Sequence, residues 1–175
     1  MTDKMKRSTQ MIYSLKALLE EWKETRQTTR IFLAELSDEA LDKKLPRQFL
    51  NTIKLQAEEL TIFQEDVIRS LETRRLAFGE QYIETHGSDE YIYTNMSRAA
   101  LLKKMNMLDT NLTQALEKLD GTEMIDYYGE PRNVHQIISS LTSHEAMHIG
   151  QIIAFCYTVG IEIPTAITEP MALEG

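Results

Sequence analysis

The amino-acid sequence predicts an all-α protein, a bundle of four long helices with one long connection between the second and the third. Three observations carry that expectation. Glycine and proline are sparse, at 7 and 4 of 175 residues, so the chain has few places to turn. Apolar residues recur every three or four positions over several long segments. No segment sustains the alternation of a half-buried strand, so no sheet is expected.

The first helix runs through Ile12, Leu15, Leu19 and Trp22, then Phe32 or Leu33, then Leu36, with Thr25 and Thr29 in the gap of the apolar stripe. Trp22 reads as a core residue. Ser37-Asp38-Glu39 caps a short turn and Pro46 closes the connection. The second helix follows Phe49, Ile53, Gln56, Leu60, Phe63, Val67 and Leu71, and shows Glu58, Glu65 and Arg69 on its exposed face. Between about residues 79 and 97 the period is lost. Gly79, His86-Gly87-Ser88-Asp89 and Tyr91-Ile92-Tyr93 mark a long crossover along the bundle. The third helix carries Leu101, Met105, Leu108, Leu112, Ala115 and Leu119 and leaves at Asp120-Gly121. A loop through Tyr127-Tyr128-Gly129-Glu130-Pro131 leads to a fourth helix over about 132–159, stopped by Gly160. The tail, with Pro164 and Pro170, is too short for a further element. Four such helices each bury one stripe against the others, as a single domain over 1–175.

Composition narrows the function. The chain is 42% hydrophobic and 26% charged, ordinary values for a globular protein. Nineteen basic and 27 acidic residues leave a net charge of −8, which argues against nucleic acid as a partner. The apolar runs are too short for a membrane span, and the first residues lead into an amphipathic segment and not a signal peptide, so a cytoplasmic location is expected. Cys156 is the single cysteine and reads as buried or at an interface. The nine methionines, Met105, Met107 and Met147 among them, read as packing residues.

Two histidines stand where apolar residues belong. The inward stripe of the fourth helix is Ile137, Leu141, His144, His148, Gln151 or Ile152, Phe155, Val159. At i and i+4, His144 and His148 lie one turn apart on one face, so both imidazoles can reach one divalent ion such as zinc or nickel. The alternative is a pair of core histidines satisfied by hydrogen bonds. Each ring left unpartnered would cost about 1–3 kcal/mol, a cost that a bound ion removes for both. The same residues spell His144-Glu145-Ala146-Met147-His148, which matches the zinc-peptidase pattern H-E-x-x-H, with the glutamate as general base. The extended peptidase pattern fails, because Gly150 comes one position early and no third histidine follows. No strand upstream offers an edge for a peptide. Glu145 is rotated about 100° from His144 on the helix and reads as a surface or supporting carboxylate.

The stretch Ser143-His144-Glu145-Ala146-Met147-His148-Ile149-Gly150-Gln151-Ile152, followed by Gly160 and Pro164, resembles the last helix of the DinB-like superfamily, whose motif there reads H-E-x-x-H-x-G-Q. That superfamily includes YfiT-like metal-dependent hydrolases and bacillithiol S-transferases. The helix lengths, the long connection and the Leu119-Asp120-Gly121 exit are similar as well. The resemblance implies a divalent metal held by His144, His148 and a histidine of the second helix, which has an acidic residue three positions on. Here that position is Gln56, with Glu59 where the acidic residue is expected. Either Gln56 or Glu59 then completes the ligands, or the site is vestigial. His86 and His135 are poor replacements, and His135 is expected to face outward. By the same resemblance the chain acts on a small molecule, as a thiol-dependent transferase using a low-molecular-weight thiol or as a hydrolase, and forms a homodimer. The alternative is a non-catalytic, small-molecule-binding or stress-associated bundle with a degenerate site. Tyr127 and Tyr128 are candidates for the mouth of its pocket.

Overall fold

The structure is a computed structural model. It describes residues 3–46, 49–77 and 93–173, with side chains from Ser14 onward. The elements are α1 (Asp3–Glu35), α2 (Asp38–Asp42), α3 (Ile53–Thr73), β1 (Arg75–Leu76), α4 (Arg98–Leu116), β2 (Met124–Tyr127), β3 (Glu130–Asn133), α5 (Val134–Val159) and α6 (Thr165–Met171). The described residues are thus mostly helical. None of these helices is long and apolar enough to cross a membrane.

Local chemistry sets the boundaries. The side chains of Ser37, Thr52 and Ser97 accept from the backbone N–H three residues on and so start α2, α3 and α4. Asn133 and Gln136 form a reciprocal capping box at α5. Gly160, at φ 67, ends α5 in the left-handed conformation that glycine adopts without strain.

The four long helices pack around two apolar clusters. One joins Leu19 and Trp22 of α1, Val67 and Leu71 of α3, Leu112 of α4 and Ile137 and Leu141 of α5. The other joins Phe32 and Leu33 of α1, Ile53 and Ala57 of α3, Leu101 and Met105 of α4 and Ile152 and Phe155 of α5. The C-terminal half of α1 therefore meets the N-terminal halves of α3 and α4, so α1 and α5 run one way and α3 and α4 the other. The two helices α3 and α4 are thus parallel. Most of the expected crossover, residues 78–92 with Gly79, His86 and Tyr91-Ile92, lies outside the described residues. Its end is anchored by Glu58, whose Oε1 accepts from the backbone N–H of Thr94 at 2.6 Å and from the Thr94 hydroxyl at 2.7 Å.

Between the two clusters lies a buried polar belt. Arg26 of α1 pairs with Glu145 of α5 at 3.0 Å, and both side chains are essentially inaccessible. Glu145 also accepts from the Thr29 hydroxyl. Arg26 donates to Oε1 of Gln64 on α3 at 3.0 Å, and Gln64 donates to Asp109 of α4 at 3.1 Å. Arg30 of α1 closes on Asp109 from the other side. All four long helices contribute to one hydrogen-bonded chain.

Several expectations need correction. A small three-stranded sheet is present, in the order β1-β2-β3, with β1 parallel and β3 antiparallel to β2. Its strands are two to four residues long, too short for an alternation to register. Tyr128 and Gly129, at φ 53 and 90, form the tight hairpin loop, whose positive angles suit the twist of paired strands. The tail does form an element, α6, which buries Ile167 in the second cluster. The second helix starts at Ile53, leaving Phe49 outside it and exposed, and the third ends at Leu116. Glu58 is buried, because the returning chain covers that face of α3. In α1 the gap in the stripe is filled by Arg26 and Thr29, with Thr25 only half-buried.

Removing one member of a buried pair leaves the other as an uncompensated charge. Arg26→Met is expected to cost about 3–5 kcal/mol, measured from the denaturation midpoint, and Arg26→Met with Glu145→Leu should recover most of that loss.

Candidate metal centre

Where the polar belt meets the face of α5, Glu59, His144 and His148 bring one carboxylate oxygen and two ring nitrogens within 4.8 Å of one another. His148 is buried, while Glu59 and His144 are partly open to a cavity. Nε2 of His148 lies 2.9 Å from Oε2 of Glu59, and Nε2 of His144 lies 4.0 Å from Oε1 of the same carboxylate. These distances bracket the separation of about 3.4 Å expected for two donors bound tetrahedrally to one zinc ion. All three donor atoms are buried without hydrogen-bonding geometry to any partner among the described residues, despite the 2.9 Å approach. Donors that converge but do not bond one another suit an ion between them. The donor set, two imidazoles and a carboxylate, is one that divalent zinc accepts while keeping a fourth position open.

The surroundings orient these groups. The Nδ1 side of His148 faces Gln56, with Nδ1 3.0 Å from Oε1 of the amide. Since an amide oxygen only accepts, Nδ1 donates to it, which in the neutral ring leaves the Nε2 lone pair on the side of Glu59 and His144. Gln56 is therefore not brought into the donor group. It acts on the far side of the ring, and its own NH2 donates to the Leu50 carbonyl at 3.4 Å. His144 stacks on Phe63 with centroids 4.2 Å apart, and its ring lies 4.8 Å from that of His148. Burial, the adjacent His148 and Arg26 together hold His144 down at a pKa of about 4, against the opposing pull of Glu59. Its ring is accordingly neutral and a competent donor.

Of the readings open for Glu145, a general base, a surface group or a supporting carboxylate, its position is that of a supporting carboxylate. It is fully buried, not on the surface, and its oxygens are taken by Arg26 and Thr29. His135 is half-buried and hydrogen-bonds Ser14 at 2.7 Å, outside the donor group, and His86 lies outside the described residues.

The donor group borders an open cavity of about 630 Å³ lined by α3, α5 and the hairpin. Tyr127 and Tyr128 both form part of its wall, as does Met147, which is half-exposed and not a core residue; Met107 is exposed as well. Arg132 of β3 reaches the same cavity, so a strand does stand near the H-E-x-x-H segment, contrary to expectation. Tyr93 was missed except as part of the connection. Burial, then Glu59, then Glu58 push its phenol above the ordinary range, so it stays protonated. Cys156 is fully buried among the second apolar cluster, away from the donor group.

Histidines and a carboxylate gathered on two helices of a mostly helical protein define a class, helical proteins with an internal donor group that could hold a metal ion. The family described as the DinB superfamily matches residues 14–152, and the chain belongs to it. No curated protein matches the chain.

Burial pushes the Cys156 thiol up to about 11. The folded chain should therefore resist alkylation by iodoacetamide at pH 8 and react fully once denatured. The stabilisation from keeping the thiol protonated holds below the ordinary thiol range and is lost as pH rises through about 11.

Proposed function

We propose that this chain is a divalent-metal-dependent enzyme built on a DinB-like four-helix bundle and acting on a small molecule. Glu59, His144 and His148 would hold the ion, zinc or nickel. The observation that supports this most is the convergence of three buried donor atoms, none with a hydrogen bond among the described residues, beside an open cavity. Such an ion, when bound, supplies a Lewis acid that lowers the pKa of a water or thiol. The reaction is then transfer of a low-molecular-weight thiol to an electrophile, or hydrolysis.

The chain's own residues have distinct parts. Gln56 fixes the tautomer and plane of His148. Phe63 fixes His144 by stacking and walls the cavity on that side. Glu145 serves as the counter-charge of Arg26, and with both oxygens engaged it is not available as a general base. That arrangement sets the chain apart from a zinc peptidase, where the glutamate of the same motif must be free to take a proton from water.

The first test is the elemental content of untagged protein beside the His144→Ala/His148→Ala variant. Near-stoichiometric zinc or nickel, lost in the variant, is the expected result. No metal even with excess ion near pH 8, where imidazole is neutral, would overturn the reading in favour of a non-catalytic bundle with a degenerate site. Gln56→Leu should keep the fold and weaken metal binding about 10- to 100-fold, read by competition with a chromophoric chelator.

A further inference from the structure

The cavity that borders the donor group has a second polar end. Arg132 enters it from β3, with its guanidinium carbon 4.1 Å from the centre of the Tyr127 ring and Nη1 3.2 Å from the Ser140 hydroxyl. These are its contacts among the described residues, and no carboxylate there pairs with it. An arginine lodged in a cavity with a neutral partner keeps most of its five N–H donors for something else. Arg26, Arg30, Arg69 and Arg98 each pair with an acid and Arg74 bonds a backbone carbonyl, whereas Arg132 lines the cavity.

The neighbouring wall is fitted to the same purpose. Ser139, Ser140 and Ser143 of α5 line the cavity, and Ser140, which donates its hydroxyl to the Gln136 carbonyl at 2.9 Å, accepts from Arg132 and holds it against this wall. Ser140 lies one helical turn before His144, about 6 Å along the axis. The Tyr127 ring under the guanidinium holds the fork in place at little cost to its hydrogen-bonding capacity. Tyr128 sits beside it at φ 53, a strained setting for a tyrosine that keeps the hairpin tight against this wall.

We propose that Arg132 is a specificity-determining residue that receives the carboxylate of a small organic acid, whose reacting group lies about one helical turn away at Glu59, His144 and His148. The pocket offers one guanidinium, and so a place for one carboxylate at that end. The planar fork of arginine matches a carboxylate with two parallel hydrogen bonds. This substrate class rests on the metal-dependent reading for the reacting end alone; the anion end stands on Arg132 and its place in the cavity wall.

The test is calorimetric titration of the zinc-loaded protein with 3-mercaptopropionate and with 3-mercaptopropionamide. The acid should bind at least tenfold tighter than the amide. Arg132→Gln should abolish that preference while the zinc content and unfolding midpoint hold, and Arg132→Lys should restore part of it. Equal affinities in the unaltered protein, or a preference that survives Arg132→Gln, would overturn the proposal. The metal-free protein is titrated in parallel with butyrate and butyramide by NMR, where zinc plays no part. Butyrate selectivity lost in Arg132→Gln, in a protein that binds no zinc, would uphold the anion site and sink the metal reading. Zinc binding with no preference for either acid would sink the anion site alone.

Discussion

The ion pair between Arg26 and Glu145 is the constraint around which the rest is arranged. Two full charges at 3.0 Å, both removed from water, are tolerated only if their remaining hydrogen-bonding capacity is met. Thr29 and Gln64 meet part of it, and Asp109 and Arg30 continue the chain to the fourth helix. A packed stripe of leucines can slide by a turn at modest cost. A buried guanidinium cannot, because any displacement leaves an uncompensated charge. The pair therefore fixes the register and rotation of α5 against α1, and Trp22, with its ring centre 5.2 Å from the Arg26 guanidinium, packs against the same joint.

That rotation is what makes a site of the histidines. Residues 144, 145 and 148 occupy neighbouring faces of one helix turn, so when Glu145 points at α1 its neighbours point at α3. His148 then meets Gln56 on one edge and Glu59 on the other, and Gln56 and Glu59 are themselves one turn apart on α3. The motif's glutamate thus acts through position: it turns the two imidazoles toward the carboxylate that shares them. The apolar clusters on either side of the belt exclude water from all but the cavity edge, where His144 and Glu59 remain partly open.

Much of this was legible in the sequence and some of it was not, for physical reasons. The long helices showed themselves because amphipathic periodicity persists over many turns, and His144 and His148 stood out because they interrupt an otherwise apolar stripe. Arg26 was passed over because an arginine in a stripe reads as a break, although Trp22, Arg26, Thr29 and Leu33 keep the spacing of a buried face. Its partner Glu145 lies 119 positions away, and no local pattern links the two. Glu58 looked like a surface charge for a similar reason, since the backbone amides that satisfy it come from the chain returning past α3. The sheet left no trace because Arg75–Leu76 is too short to have a period, and Tyr128-Gly129, the hairpin's turn, reads as part of a loop.

The exchange of a second-helix histidine for Gln56 changes more than the number of imidazoles. With three neutral histidines, a divalent ion would keep its full double charge. With Glu59 in place of one of them, the proposed centre would carry a single net positive charge, which would attract an anion less strongly from a distance and withdraw less electron density from whatever it holds. Glutamine at position 56 serves that arrangement by accepting from Nδ1 of His148, which leaves Nε2 as the donor and Glu59 free on the other side of the ring. The charge lost at the ion is matched by one on the cavity wall, since Arg132 supplies a fixed positive group that does not depend on the metal. On the reading proposed above, attraction of an anionic ligand and activation of its reacting group would be divided between two ends of one cavity, and a centre of lower charge need not mean a degenerate one.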